Sequence, residues 1–326
     1  MSDKILLLSG DGIGPSVLKS AEDVLKSVTD SVEPIHGLIG RSAYESTGHY
    51  IPHETLDLLD ECKSIICGPC VSPENITPPV ETLKVQLDLY SRVRYFKTLS
   101  PDLGVEGMQV TLWSSNNFVS NEITEVSELD GITLSKFVKN DSYNRMMTTA
   151  RRDIESMGLK KIACLTREDF FPISSGMFSD AFNSVFTPDR FETRQLNVKD
   201  WMTHIIKNPL VDESIVCVDL YNQIVAGVLS GLTGYDYISP TAFFGDEYGL
   251  YEPSHTAVLT NVEEGYANPT SYILSIANIV RKFGLGSEAD LIVDALSKTY
   301  RAGERTPDLN GTLSTEEFTQ RVISNL

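Results

Sequence analysis

The stretch Lys4-Ile5-Leu6-Leu7-Leu8-Ser9-Gly10-Asp11-Gly12-Ile13-Gly14-Pro15 decides how this chain is read. A short apolar run, Lys4–Leu8, is closed by Ser9-Gly10-Asp11-Gly12. Pro15 then opens a helical pattern, with Val17, Leu18, Ala21, Val24, Leu25 and Val28 on one face. The glycines do not form the G-x-G-x-x-G dinucleotide fingerprint, because Pro15 follows at once. Taken alone, the motif is a tight turn that needs positive φ between a strand and a helix.

The same alternation continues outward from this stretch. Ser64–Cys67, Val110–Trp113, Lys161–Leu165 and Ser214–Val218 read as buried strands. Helical spacing runs over Asp141–Met157 and Asp200–Lys207. Three more helical stretches close the chain: Pro269–Phe283, Ser287–Tyr300 and Ser314–Leu326. In the last, Ser314 or Thr315 caps and Glu316 and Glu317 fill the first turn. The pattern predicts an α/β architecture with a largely parallel sheet.

At roughly 150 residues per domain, the 326 residues suggest about two domains. No repeat, low-complexity tract or linker separates them, so they are expected to interleave. Hydrophobic residues at 41% and charged residues at 22% match an ordinary globular chain. The 27 Lys+Arg against 45 Asp+Glu give a net charge of −18. That balance argues against a nucleic-acid or anionic-membrane partner, which needs a basic face. No apolar stretch approaches the roughly 18 residues of a membrane span, and Ile5–Leu8 is too short for a signal peptide. Five irregularly spaced cysteines argue against a disulfide framework, so a reducing, cytoplasmic location is expected. Cys67-Gly68-Pro69-Cys70 has redox-type C-x-x-C spacing, but prolines 73, 78 and 79 block the helix that would activate its first thiol. His36, His49, His53 and His204 show no ligand spacing.

Further motifs follow in order. Gly40-x-x-Ala43 precedes Gly48-x-x-x-Pro52, and Leu83-Lys84 precedes Leu87-Asp88-Leu89-Tyr90-Ser91-Arg92-Val93-Arg94. Tyr251-Glu252-Pro253-Ser254-His255 comes before Ala267-Asn268-Pro269-Thr270. Thr306-Pro307-Asp308-Leu309-Asn310-Gly311-Thr312 and Thr315-Glu316-Glu317-Phe318 stand near the end. Over the whole chain this ordered set resembles the β-decarboxylating dehydrogenases that act on isocitrate, isopropylmalate and homoisocitrate. The resemblance implies a two-domain α/β fold with central sheets flanked by helices. Its large domain would comprise residues 1–97 plus 247–326, and its small domain, with dimer-forming elements, 98–246. It also implies a homodimer, or a heteromer with an active paralogue, whose site draws residues from both subunits. The chemistry implied is NAD(P)-dependent oxidation of a 2-hydroxy acid, followed by Mg2+- or Mn2+-assisted loss of CO2.

That chemistry needs arginines for substrate carboxylates, aspartates for a hard cation, and a lysine and a tyrosine for proton transfer. The slots that the resemblance assigns are largely substituted. Lys84 stands in the first arginine slot, Arg94 matches the second, and Arg92 replaces an asparagine. Trp113-Ser114-Ser115-Asn116-Asn117-Phe118-Val119 offers neither the third arginine nor the tyrosine. Arg167 occupies the lysine slot, and an arginine cannot shuttle a proton at physiological pH. The metal slots hold Lys199, Gln223 and Gly227, and Asp219 stands in a neighbouring asparagine slot. In the cofactor loop His255 and Asn268 are retained, but Thr256 and Thr260 replace a glycine and an aspartate.

The expectation is therefore a catalytically degenerate member: no catalytic residue, no metal, doubtful NAD(P). Lys84, Arg92, Arg94, Arg167 and Lys199 would line a cationic cleft for an anionic small molecule. The protein would act as a regulatory subunit or metabolite binder. The alternative is an active NAD(P)-dependent decarboxylase with a rearranged or partner-completed site. A metal-independent enzyme of another kind lacks any nucleophile–base set in the sequence.

Overall fold

The computed structural model describes residues 3–71, 76–116, 121–139, 141–209, 212–253 and 265–326. Twelve strands are labelled in chain order among them: β1 (Asp3–Leu8), β2 (Val32–Gly37), β3 (Ser64–Cys67), β4 (Ser91–Lys97), β5 (Gln109–Ser115), β6 (Asn121–Ser127), β7 (Ile132–Val138), β8 (Lys161–Thr166), β9 (Glu192–Asn197), β10 (Asp212–Cys217), β11 (Thr241–Phe244) and β12 (Gly249–Tyr251). Ten form one sheet in the order β2-β1-β3-β12-β11-β4-β5-β10-β8-β9, and β6 and β7 form a separate hairpin. The expected α/β architecture is present.

The sheet is parallel at both ends and antiparallel in the middle. β2, β1, β3 and β12 run together, as do β5, β10, β8 and β9. β11 is antiparallel to both β12 and β4, and β4 is antiparallel to β5. Three reversals leave the two parallel blocks pointing in opposite directions. In the centre Arg92 faces Phe243 on one side and Ser114 on the other. Because side chains alternate along a strand, Arg92, Arg94, Thr241 and Phe243 share one face of the sheet. Val93, Tyr95 and Phe244 share the other.

The opening motif works by close approach. Gly10 and Gly12 have φ of +68° and +58°, which a side chain tolerates poorly. A Cβ on Gly14 would lie 1.9 Å from the Ser9 carbonyl oxygen, and one on Gly68 would lie 2.1 Å from the same atom. The loops after β1 and β3 therefore cross with no room between them. Asp11, 6% exposed, sits at the crossing. Its carboxylate accepts from the backbone N–H groups of Arg41 (2.9 Å), Ser42 (2.8 Å) and Val71 (2.7 Å). Burial pushes this carboxyl up, but the N–H donors outweigh burial and hold it below its ordinary value.

Pro15 lies in the first turn of the helix Gly14–Val28, whose apolar stripe is buried as its spacing requires. That helix packs on Thr270–Lys282, Gly286–Arg301 and Thr315–Ser324, so both ends of the chain share one core. Ser314 closes a capping box with Glu317 at the last helix. No helix among the described residues is long and apolar enough to cross a membrane.

Candidate functional site

On the Arg92 face of the sheet, a cavity of about 360 Å³ opens over the antiparallel centre that separates the two parallel blocks. β4 contributes Arg92, β11 contributes Thr241 and Phe243, and the end of β5 contributes Ser114 and Ser115, with Asn116 beyond it. The helix Pro79–Gln86 brings Glu81 and Lys84 on one side, at i,i+3 spacing. The helix Asp219–Thr233 brings Asp219, Asn222 and Gln223 on the other, and Glu252 follows β12.

Arg92 defines the chemistry. It is partly buried, and no ion-pair partner meets its guanidinium among the described residues. Gln223 satisfies its hydrogen bonding only with its amide oxygen turned to Arg92, where it accepts from the two terminal nitrogens at 2.8 and 3.2 Å. The Arg92 Nε has no partner among the described residues. Burial, and the neighbouring Arg94 charge after it, push the guanidinium down to about 10, so it stays cationic at neutral pH. Around it, both amide atoms of buried Asn222 and the Thr241 Oγ1 have no partners among the described residues. Buried polar atoms are normally paired, so atoms of this kind facing one cavity would be met there by water or by a polar ligand.

Lys84 reaches the cavity but is already engaged. It is 2% exposed and sits 3.8 Å above the Phe243 ring. It pairs with Glu81 at 2.8 Å and with Glu252. Burial pulls its amine down, but the two carboxylates outweigh that and hold it above its ordinary value. It is a fixed cation, unsuited to shuttling protons.

The other expected cations lie elsewhere. Arg94, 2% exposed, pairs with the Asp236 carboxylate (2.7 Å) and donates to its carbonyl (3.0 Å). Arg167 is held by Asp169 at 3.0 and 3.2 Å, near the surface. Lys199 is exposed in the first turn of the helix Val198–Lys207. The five cations thus do not converge within one chain: Lys84 and Arg92 border the cavity and the other three do not. Gln223 borders it as well. Gly227, one turn further along the helix, faces open space, where a Cβ would meet nothing within 4 Å. Asn268 is a buried structural group: its amide nitrogen donates to Tyr300 (3.2 Å) and Asp308 (3.0 Å), and its oxygen accepts from the Thr270 backbone (3.0 Å). His255, Thr256 and Thr260 lie outside the described residues.

The donor set does not fit a divalent cation within this chain. Each carboxylate bordering the cavity already has a cationic partner: Glu81 and Glu252 share Lys84, and Asp219 holds Lys136. Gln223 turns its oxygen to a guanidinium. Among the described residues, no group of three or more His, Cys, Asp or Glu is arranged to hold a metal ion. What remains is a guanidinium with no carboxylate in contact among the described residues, beside the amide of Asn222 and the hydroxyl of Thr241. Glu81 and Glu252 line the same cavity but are held against Lys84, so it is the open guanidinium face that suits an anion.

Sequence reasoning did not pick out Asn222, Thr241, Phe243, Glu81 or Glu252 as cavity residues. Glu81 had a local signal, its i,i+3 spacing to Lys84. Thr241 and Phe243 had none, because only the sheet register brings them beside Arg92.

Comparison with known proteins agrees with this architecture. Over 331 residues the chain is 26% identical to a 3-isopropylmalate dehydrogenase of Archaeoglobus fulgidus, covering 99% of each. It is also 26% identical over 331 residues to an isocitrate/homoisocitrate dehydrogenase of Thermus thermophilus, covering 100% of this chain and 99% of the relative. A crystal structure of a β-decarboxylating dehydrogenase from Thermococcus kodakarensis superposes with a TM-score of 0.88 at 22% identity, covering 99% of this chain and 96% of the other. The family model described as isocitrate/isopropylmalate dehydrogenase matches residues 4–322, and on that match the chain belongs to the isocitrate/isopropylmalate dehydrogenase family.

Proposed function

We propose that this chain is a non-catalytic member of its family that binds a small carboxylate or phosphate metabolite at Arg92. It would act in the cytoplasm as a subunit of an oligomer, with a second copy or with an active paralogue. The observation that carries this reading is the Arg92 guanidinium, which enters a cavity with no carboxylate in contact with it among the described residues, while Asn222 and Thr241 leave polar atoms unpartnered beside it. An anion would supply the missing charge and acceptors together. The substituted family slots support the loss of chemistry. Lys84 is held charged by two glutamates, and Gln223 and Gly227 stand where metal aspartates belong.

The oligomer is supported by exposed apolar side chains on elements beside the cavity. The β6–β7 hairpin exposes Ile132, Leu134 and Phe137, and the helix Asp219–Thr233 exposes Leu220 and Ile224. A two-stranded hairpin has little stability of its own, so a partner covering these side chains would steady it. Lys136 of the hairpin already reaches Asp219 of that helix.

A second reading is an active NAD(P)-dependent oxidative decarboxylase whose site a partner completes. The full-length similarity to relatives named as dehydrogenases favours it. One set of measurements separates the two. The purified chain is assayed for NAD(P) reduction with isocitrate, 3-isopropylmalate and homoisocitrate plus Mn2+, and its melting temperature is followed with citrate and inorganic phosphate. The proposal expects no turnover, a rise in melting temperature with an anion, and loss of that rise in Arg92→Leu. Turnover at an ordinary enzyme rate would overturn it.

A further inference from the structure

The sheet carries a second cavity on the face opposite Arg92. Its volume is about 290 Å³, and Tyr95 of β4 and Phe244 of β11 form its floor. The helix Ser142–Ser156 supplies one wall and the end of the helix Thr270–Lys282 the other. It adjoins a further hollow of about 460 Å³ that shares Tyr95, Met157, Asn278 and Arg281.

Three cations face this groove in a chain whose net charge is −18. Lys282 lies at the floor, 3.5 Å over the Phe244 ring and 2.7 Å from Asp153. Tyr95 also donates to Asp153, at 3.1 Å. Arg281 pairs with Asp290 at 2.6 Å. Arg152, exposed on the facing helix, has no ion-pair partner among the described residues. Counting the residues that line the smaller cavity together with their ion-pair partners, Arg152, Arg281 and Lys282 against Asp153 and Asp290 leave a net +1, carried by Arg152. Asn278, which lines both hollows, has a buried amide nitrogen with no partner among the described residues. Basic residues at a helix end can simply complement its dipole, and this accounts for Arg281 and Lys282. It does not account for Arg152, which precedes the last turn of its own helix, or for the unpartnered amide.

We propose that this groove is a second ligand site, for a small organic anion with an apolar body: a carboxylate or phosphate ester carried on an aromatic or aliphatic group. The anionic head meets Arg152, Lys282 and the Asn278 amide. The body lies against Phe244, Tyr95 and Met157. Burial lowers the Lys282 amine, Asp153 opposes that, and Arg152 adds to it, so a bound anion would relieve the crowding of charge. The site is on the other side of the sheet from Arg92 and stands or falls separately from the reading of that cavity.

The test is isothermal titration of the full chain with phenyl phosphate, with inorganic phosphate and phenol as probes of each half alone. Phenyl phosphate should bind saturably, with each half weaker by about tenfold or more. Arg152→Glu, at an exposed position, should cost about tenfold or more in affinity, and Met157→Trp, which fills the groove, should remove binding. Arg92→Leu should leave phenyl phosphate binding at the groove in place. No saturable binding would overturn the proposal. So would equal affinity for inorganic phosphate in Arg92→Leu, where the first cavity no longer competes, or a loss produced by Arg92→Leu with Arg152→Glu unaffected.

Discussion

Gln223→Glu is predicted to make the protein more stable and a poorer anion binder. The substitution keeps the shape of the side chain and puts a carboxylate oxygen where the amide oxygen now accepts from Arg92 at 2.8 and 3.2 Å. For charge centres about 4 Å apart and an effective dielectric near 20, the attraction is about 4 kcal/mol. Gln223 is exposed, so screening and the cost of drawing a carboxylate toward the cavity remove about half of it. The net gain is about 2 kcal/mol. With an unfolding entropy near 2.1 cal/mol/K per residue, 326 residues give about 0.7 kcal/mol/K, so the melting temperature should rise by about 3 °C. The new carboxylate also occupies the guanidinium that an anion would use, so affinity should fall by about tenfold or more. Differential scanning fluorimetry with and without citrate reads both effects from one sample. A variant that melts at or below the parent, or that gains as much from citrate as the parent does, would refute the role given to Arg92.

Asp11→Asn turns an amide donor toward at least one of the three backbone N–H groups that the carboxylate now accepts from, and should cost about 3 kcal/mol, or about 4 °C in melting temperature. Because the carboxyl of Asp11 is held below its ordinary value, its contribution is complete above that value and is lost as pH falls through the folded one. Parent and variant should thus differ equally from about pH 5 to 8 and converge in acid, as thermal melts would show. Ser314→Ala removes one half of a capping box and should destabilise by about 1 kcal/mol in urea titration. Iodoacetamide at pH 8 should alkylate Cys70, the partly exposed thiol, and spare the rest, as peptide mass mapping would reveal. Burial pushes the thiols of Cys62, Cys164 and Cys217 up, and for Cys67 the hydrogen bond with Cys70 comes first and burial second.

β1, β3, β5, β8 and β10 were legible because each carries a continuous apolar run between turn signals, whereas the parallel strands β2 and β9, at the two edges of the sheet, and the short β12 carry none and were not read. Ser64–Cys67 matches its strand residue for residue, and the five helices expected after it begin and end within a few residues of their patterns, while the helices Pro79–Gln86, Pro172–Val185 and Asp219–Thr233 were not singled out. The central antiparallel strands gave no such signal. Ser91–Lys97 carries Arg92 and Arg94, and Thr241–Phe244 is only four residues long. Each has one partner close in sequence, β5 for the first and β12 for the second, but they gain their central position from pairing with each other across the chain. The site was half legible for the same reason. Lys84, Arg92 and Gln223 were picked out and do meet. That Glu252 neutralises Lys84 from 168 residues away is fixed only by β12 lying beside β3. Alternation along β4 correctly puts Arg92 and Arg94 on one face, but it cannot say that Asp236 claims one and leaves the other to the cavity.

The antiparallel centre has a consequence for how the chain is born. β3 and β4 leave the ribosome early, yet the strands that lie between them, β11 and β12, are the last in the sequence. From residue 97 to residue 241 is 144 residues, which at roughly 5–20 residues per second takes about 7 to 29 s. Throughout that interval the edges of β3 and β4 have unpaired backbone donors and acceptors, and Ile65 and Ile66 have no neighbour on one side. The nascent chain is at greatest risk of joining another copy of itself edge to edge in this window. A holding chaperone that recognises residues 64–97 would have the longest time to act there.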